Sequence, residues 1–360
     1  MIYLLLALLF IAYHIYQWYK AKPYQKPESV DLNLEQAPMV SILVPAWNAA
    51  QDIAEFIDSF HALQYPNKEL ILCAGGSDGS LELARKKASS SILVLEQLKG
   101  EGKQKALAKS FARSHGEIIY LTDIDCRLDN ESLARVLKPI LDGKEAVVTG
   151  SSMPLVTQHT IGAVLIHWAT VRKAAGLKPR YLDGVLGRNC AATRTAVKAI
   201  NGFNFDAPTG TDYRMAQQLT KYGYKIWFEP TSEVQTEFAW PLGTYVRKRA
   251  RWLRNVILYA ERPRQLAELK GVVVNLAIPF ALLFLFVLSL ILMHPLPAFL
   301  SVLLILHGAL NRLRYVREML PPKYLRLTLL PGSLENLFGT FAAGVYAATT
   351  LLSPKLRKQW

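Results

Sequence analysis

The 360 residues allow one large or two small domains with attachments, and 42 Lys and Arg outweigh 28 Asp and Glu by 14 charges. Such a basic balance points to nucleic acid, anionic lipid headgroups or a phosphorylated small molecule, and an apolar share of 51% favours the membrane. Three scattered cysteines, Cys73, Cys126 and Cys190, give neither a zinc spacing nor a disulfide framework and fit a reducing compartment.

Met1 to Trp18 is almost wholly apolar, has no small-residue cleavage site after it, and ends in Tyr and Trp followed by Lys20, Lys22 and Lys26. This reads as an uncleaved transmembrane anchor over 1–19, with an interfacial aromatic belt and a positive cytosolic flank. His14 inside it reads as an interfacial residue rather than a ligand. A polar, Pro-containing linker follows over 20–38, then a globular region over 39–232.

The globular region alternates strands and helices. Strands are expected at Val40–Val44 (stopped by Pro45), Glu69–Ala74, Ile92–Glu96 and Ile118–Leu121. Helices are expected at Asp52–Leu63, Leu81–Ser89 and Lys103–Ser114, the first carrying Ile53, Phe56, Ile57 and Phe60 at helical spacing. The alternation predicts an α/β fold with an open parallel sheet, whose ligands bind beyond the carboxyl ends of the strands. Pro45 to Asn48, Gly75 to Ser80 and Asp123 to Asp125 all fall at such ends.

The stretch Thr122-Asp123-Ile124-Asp125 carries the chemistry. Two carboxylates one residue apart repel each other unless a positive group joins them. A hard divalent cation with oxygen ligands does this, completing its shell with waters and substrate phosphates. The stretch is therefore read as a metal–diphosphate site.

Farther along, a strand is expected at Ala146–Gly150, a helix at Ile161–Ala175, a Gly- and Asn-containing turn at Leu186–Ala192, a helix at Thr211–Tyr222 with Asp212 in its first turn, and a strand at Lys225–Phe228. An amphipathic interface region follows over 233–268. On its helix Thr244–Tyr259, Tyr245, Trp252, Val256 and Tyr259 share one face at about 100° per residue, with Arg247, Arg251 and Arg254 nearly opposite. That suits a helix at a membrane surface or over an anionic site. A C-terminal transmembrane region of two or three helices is expected over 269–354: Gly271–Met293, Ala298–Leu310 and Leu334–Leu352, the last with Gly339 and Gly344 for close packing. Asn311–Lys323 reads as a basic cytosolic loop and 355–360 as a basic tail.

VSILVPAWNAA at Val40, CAGGSDGS at Cys73, GKQKAL at Gly102, TDID at Thr122, GTDYRMAQQL at Gly210 and KRARW at Lys248 together resemble the membrane-bound family 2 glycosyltransferases. The resemblance runs from Val40 to about Arg254. It implies a GT-A fold, Rossmann-like with a mostly parallel sheet. It also implies a nucleotide sugar as donor, expected to be a UDP-sugar, and Mn2+ or Mg2+ on the diphosphate. By resemblance Asp78 contacts the nucleoside, Lys103 the diphosphate, and Asp123 the ribose and metal, while Asp125 ligates the metal directly. Asp212 is the general base of an inverting transfer. Arg251 pairs with the departing diphosphate, and Trp252 stacks on a sugar or packs at the interface. The chain departs from the pattern at Thr211, where relatives often have Glu, at Lys248, where they have Gln, and at Ala108, where they often have Asn.

Three functions compete. The first is transfer of a hexose to a lipid acceptor, making a glycolipid at the cytosolic face of a bacterial inner membrane. The second is a processive polysaccharide synthase or a polyprenyl-phosphate glycosyltransferase. The third is a basic protein that binds an anionic membrane surface without chemistry. The third has no account of three acidic motifs at strand ends. Few apolar segments, with little polar lining, favour the lipid over a tunnel for a growing chain. The residues Asp212, Tyr213, Met215 and Ala216 resemble ceramide glucosyltransferases. Nucleic acid is not expected as a partner.

Overall fold

The computed structural model describes residues 1–32, 34, 37–205, 210–259, 277–278, 280–326 and 329–351. The expected basic tail and the start of the expected span Gly271–Met293 lie outside the described residues. The chain divides into two compact units. One comprises Pro27–Val156 and Ala175–Glu237; the other Met1–Lys26, Thr157–Ala174 and Phe238–Trp360. The segment Thr157–Ala174, expected inside the globular region, thus groups with the terminal helices.

The first of these is a three-layer α/β unit. Its strands are β1 (Val40–Trp47), β2 (Lys68–Gly75), β3 (Ile92–Glu96), β4 (Ile118–Leu121), β5 (Cys126–Arg127), β6 (Val147–Pro154), β7 (Tyr181–Leu182), β8 (Cys190–Thr193) and β9 (Ile226–Thr236). The sheet order is β3-β2-β1-β4-β8-β6-β9-β5, with β7 paired to β9. The half from β3 to β4 is parallel, whereas β8 runs antiparallel to both β4 and β6. The sheet is therefore mixed rather than wholly parallel.

Alternation along the strands feeds two cores. From β1 and β4, Val40, Ile42, Val44, Ile118 and Tyr120 face one side, where helix α2 (Ala50–His61) supplies Ile53, Phe56, Ile57 and Phe60. Leu43, Ile119 and Leu121 face the other, against Leu107 of α4 (Gly102–Arg113) and Met215, Ala216 and Leu219 of α8 (Thr211–Lys221). The period of two is what lets one central sheet bury both faces. The remaining helices of this unit are α3 (Ser80–Lys86), α5 (Asn130–Leu141) and α7 (Arg194–Ala199).

Pro45 does not stop β1. It pairs in register with Cys73 of β2, while β4 pairs with β1 only as far as Leu43. Beyond Leu43 that side of β1 has no β4 neighbour in the ladder, so a residue without an N–H is tolerated there. The strands β6 and β9 are also longer than expected, since they pair with each other in parallel from Val148 to Pro154.

The second unit holds α1 (Ile2–Lys20), most of α6 (Gly162–Gly176), α9 (Leu242–Tyr259), α10 (Phe280–Ile291), α11 (Leu296–Met319) and α12 (Leu329–Leu351). Among the described residues two helices, α1 and α11, are long and apolar enough to cross a membrane. The expected last span, α12, is not one of them; Ser333 and Asn336 of α12 are buried within the protein. The expected basic loop from Asn311 is instead the second half of α11, because its polar groups are bonded: Arg312 to Asn336, Arg314 to Gln17 and Glu318 to Lys173. The predicted faces of α9 also differ. Ala250 and Leu253 pack on Ala343 and Ala347 of α12, Arg254 is buried, and Trp252 is exposed. Helix contact, not polarity alone, chooses the buried side. Gly339 does allow a close approach, since a Cβ there would stand 2.7 Å from Leu242.

At the amino ends of the strands, Glu69 accepts hydrogen bonds from Ser41 Oγ (2.6 Å) and from the His115 backbone N–H (2.5 Å). It thereby ties the starts of β1, β2 and β4 together, opposite the carboxyl ends. Burial alone would raise its carboxyl, but these bonds hold it below the ordinary carboxylate value. Glu69→Gln is expected to cost about 2 kcal/mol near neutral pH. A carboxylate held low when folded stabilises fully above its unfolded value of about 4.3 and loses that contribution as pH falls below it. Denaturant titrations should therefore show the gap between wild type and variant constant above about pH 5 and closing toward pH 3.

Candidate active site

The loop after β4 carries Asp123 and Asp125. Asp123 accepts the Cys126 backbone N–H (3.1 Å) through its carbonyl, and Cys126 and Arg127 then join β9 as β5. The loop is thus fixed at both ends. Lys103 comes to it from the first turn of α4. Its ammonium donates to Asp123 Oδ1 at 2.8 Å and pairs with Asp212 Oδ1 at 3.2 Å. A lysine in a first turn meets the positive end of the helix dipole, and these two carboxylates offset that. Burial alone would lower its pKa; the two carboxylates outweigh burial and raise it.

The three side chains remain 29%, 26% and 39% exposed for Lys103, Asp123 and Asp212. Pairs this open contribute about 1 kcal/mol or less to stability. Folding energy therefore does not explain why two carboxylates meet one ammonium here.

A second cation, Arg188, stands with its Nε 3.9 Å from Asp123 Oδ2 and donates to Thr236 Oγ1 at 3.3 Å. Burial would lower it, but Asp123, Cys126, Asp125 and Asp212 together hold its pKa up. Arg188 sits in the turn Gly187-Arg188-Asn189. Asn189 is fully buried, accepts from Tyr120 Oη (3.1 Å), and donates to the Ser151 and Ser232 carbonyls at 2.9 and 3.2 Å. Gly187 faces the acid of α8: an added Cβ would lie 2.2 Å from Asp212 Oδ1. The sequence marked this turn by its Gly and Asn but gave Gly187, Arg188 and Asn189 no role. The run Gly-Arg-Asn directly before an apolar stretch was the available signal.

Asp78 lies at the end of β2, two strands from β4 in the sheet order and hence roughly 10 Å across it. It is exposed; one oxygen accepts from the Ala50 N–H of α2 at 2.9 Å and the other from Ser80. Those bonds hold its carboxyl below the ordinary range. The adjacent Gly76 has φ +119°, and a Cβ there would strike Asn48. Asp78, Lys103, Asp123, Asp125 and Asp212 thus all belong to the α/β unit. Arg251 and Trp252 stand on α9 of the other unit, both exposed, with Arg249 over the Trp252 ring.

Nucleophilic cysteine chemistry does not fit the site. Cys126 and Cys190 are fully buried, and burial pushes the Cys126 thiol up to about 12. Among the described residues no three His, Cys, Asp or Glu side chains gather to hold a metal by themselves. The oxygen donors here are single carboxylates beside cations, which suits an ion whose remaining ligands come from water and a bound diphosphate.

The family-group 2 glycosyl transferase model matches residues 118–311, more than half of the chain, and the glycosyl transferase family 2 model matches residues 41–157. The chain belongs to the family 2 glycosyltransferases. Among curated proteins it is similar to the probable glycosyltransferase YdaM of Bacillus subtilis, 22% identical over 62% of this chain and 56% of the relative. It is likewise 22% identical to poly-beta-1,6-N-acetyl-D-glucosamine synthase of Staphylococcus aureus, over 64% of this chain and 57% of the relative. The chain thus spans a little over half the length of these relatives. Among solved structures, the mannosyltransferase PcManGT from Pyrobaculum calidifontis, in complex with GDP-Man and Mn2+, superposes with a TM-score of 0.53. It is 17% identical, with 98% of this chain and 99% of that one covered. This likeness supports the GT-A-type fold.

For this glycosyltransferase, Gly187→Ala should push the Asp212 carboxylate off the Lys103 ammonium. Transfer, followed as nucleotide released from a sugar donor, is expected to fall roughly 100-fold, with an unchanged thermal midpoint. Full activity in the variant would mean the close approach is incidental.

Proposed function

We propose that the protein moves a hexose from a nucleotide sugar to a membrane lipid, with inversion at the anomeric carbon. The observation that carries this reading is the single ammonium of Lys103 shared by Asp123 and Asp212. It joins the acids of the donor loop to an acid on a helix that the donor motif does not contain, as a two-substrate reaction requires.

In the proposed reaction, Asp212 takes the proton of the acceptor hydroxyl as its oxygen attacks the anomeric carbon. The bond from that carbon to the diphosphate oxygen breaks on the opposite face, and the diphosphate leaves with the electron pair. Lys103, with Arg188, meets the charge growing on the leaving group. Asp78 contacts the nucleoside. Arg251 and Trp252 are proposed to serve the departing diphosphate and the acceptor.

Asp125, with Asp123, would hold Mn2+ or Mg2+, as the Mn2+ in the PcManGT complex supports. When bound, that ion neutralises charge on the diphosphate. The local charge agrees. Asp123, Asp125 and Asp212 against Lys103 and Arg188 leave one negative charge. A bare diphosphate would be repelled by that balance; one carrying a dication would not.

The lipid acceptor is supported by two helices of membrane-spanning length and by exposed apolar side chains along α1. The catalytic unit is proposed to lie on the cytosolic side of a bacterial inner membrane, following the lysines after α1. A second reading, processive polysaccharide synthesis, is favoured by the likeness to poly-beta-1,6-N-acetyl-D-glucosamine synthase. Purified protein in lipid, given UDP- and GDP-hexoses, separates the two: mass spectrometry of the lipid extract finds either a glycolipid or a polymer. No transfer to lipid or sugar with any donor would sink both.

Asp212→Asn should lower transfer about 1,000-fold while donor affinity by calorimetry stays within about twofold. Unchanged turnover removes Asp212 from the base role. Asp125→Ala should abolish the dependence of donor affinity on manganese; a variant that still binds donor more tightly with metal places the ion elsewhere.

A further inference from the structure

The helices α1 and α11 run side by side in the same direction. Tyr3 meets Phe299 with ring centroids 5.2 Å apart, His14 Nε2 meets His307 Nδ1 at 3.2 Å, and Gln17 accepts from Arg314 at 3.1 Å. At their far ends the Arg317 guanidinium donates to the Trp18 carbonyl at 2.6 Å and lies over the Trp18 ring. Between them is an open groove of about 610 Å³. Phe10, Ile11, Ile15 and Leu310 line it, and Arg314 and Arg317 close one end.

Three features define an occupant. The first is length. From Phe10 to Tyr19 the groove follows nine residue steps of α1, roughly 13 Å. One leaflet of the hydrocarbon core is about 15 Å deep. The second is position. Trp18 and Tyr19 mark the headgroup level, as aromatic belts do, and the arginines stand at that same end. The third is charge. Glu318 is shared between Lys173 (2.6 Å) and Arg314 (3.4 Å), so three cations including Arg317 meet one carboxylate among the described residues. An anion is wanted at the headgroup level and an acyl chain below it.

We propose that this groove binds one anionic phospholipid, its phosphate on Arg314 and Arg317 and one acyl chain along α1. This lipid is a bound component of the membrane unit and is distinct from the acceptor. The proposal does not depend on the assigned reaction.

The test uses the full chain in phosphatidylcholine nanodiscs doped with phosphatidylglycerol, released into detergent and weighed by native mass spectrometry. Wild type should retain one phosphatidylglycerol in preference to phosphatidylcholine. Arg314→Gln with Arg317→Gln should lower that retention roughly tenfold, whereas Lys323→Gln, outside the groove, should not. Because the double variant removes internal bonds, Leu310→Trp serves as an independent variant: it fills the apolar wall, keeps both arginines, and should also release the lipid. Equal retention of the two lipids overturns the proposal, as does phosphatidylglycerol bound normally by a folded double variant or by Leu310→Trp. Displacement of the lipid by excess inorganic phosphate would identify an anion site without a chain site, and would also overturn it.

Discussion

The site depends on one ammonium between two carboxylates. Lys103 reaches both within 3.2 Å, so Asp123 and Asp212 stand at most about 6 Å apart. At an effective dielectric near 20 two bare carboxylates at that distance repel by about 3 kcal/mol. The acids belong to segments nearly ninety residues apart, and no ladder joins β4 to α8 directly. The lysine is what makes their proximity affordable. Under the proposed reaction it has a further consequence. The ammonium that would meet the diphosphate also holds the Asp212 carboxylate at 3.2 Å, so donor and proposed base share one contact.

The sheet explains how such distant segments meet. It changes direction at β4, which has parallel β1 on one side and antiparallel β8 on the other. Ligands of open α/β sheets lie where strand order or direction changes. The turn preceding β8 therefore arrives beside the loop following β4. Asn189 fixes that arrival by bonding to Tyr120, Ser151 and Ser232 at once. A fully satisfied buried amide of this kind rigidifies what it joins. Gly187 and Arg188 inherit their positions from it, one against Asp212 and the other near Asp123.

The parallel half of the fold was legible because short apolar runs alternate with helical segments; Ile92–Glu96 and Ile118–Leu121 fall where the pattern places them. The antiparallel half was less so. The strand β8 reads Cys-Ala-Ala-Thr, with none of the bulky apolar side chains that mark β4, and the direction of pairing leaves no mark in composition. Asp78, Lys103, Asp123, Asp125 and Asp212 were named as candidates through motif order. Arg188 was not, since a basic residue in a loop looks solvated until the fold sets it beside Asp123. Pro45 misled for a similar reason: its tolerance depends on where the neighbouring strand ends, which is a tertiary fact. On α9 the helical wheel grouped Tyr245 with Trp252, yet Tyr245 is buried with its hydroxyl 3.2 Å from Thr340 of α12, while Trp252 is exposed.

The polar residues within α1 and α11 follow from the cost of leaving such groups unpaired in an apolar setting. His14, Gln17, His307, Asn311 and Arg314 would each oppose membrane insertion alone. They form a chain instead: His14 with His307, His307 with Asn311 at 2.8 Å, and Gln17 with Arg314. Each bond needs the other helix or the next turn, so the chain holds only when α1 and α11 stay parallel and in one register. A one-turn slip of about 5.4 Å would separate both pairs that cross between the helices, His14 with His307 and Gln17 with Arg314. Apolar packing between two helices is weakly directional, and hydrogen bonds of this kind add the register that packing lacks. The polar residues that made α11 look like a short span with a loop after it are thus the reason it is one continuous helix beside α1.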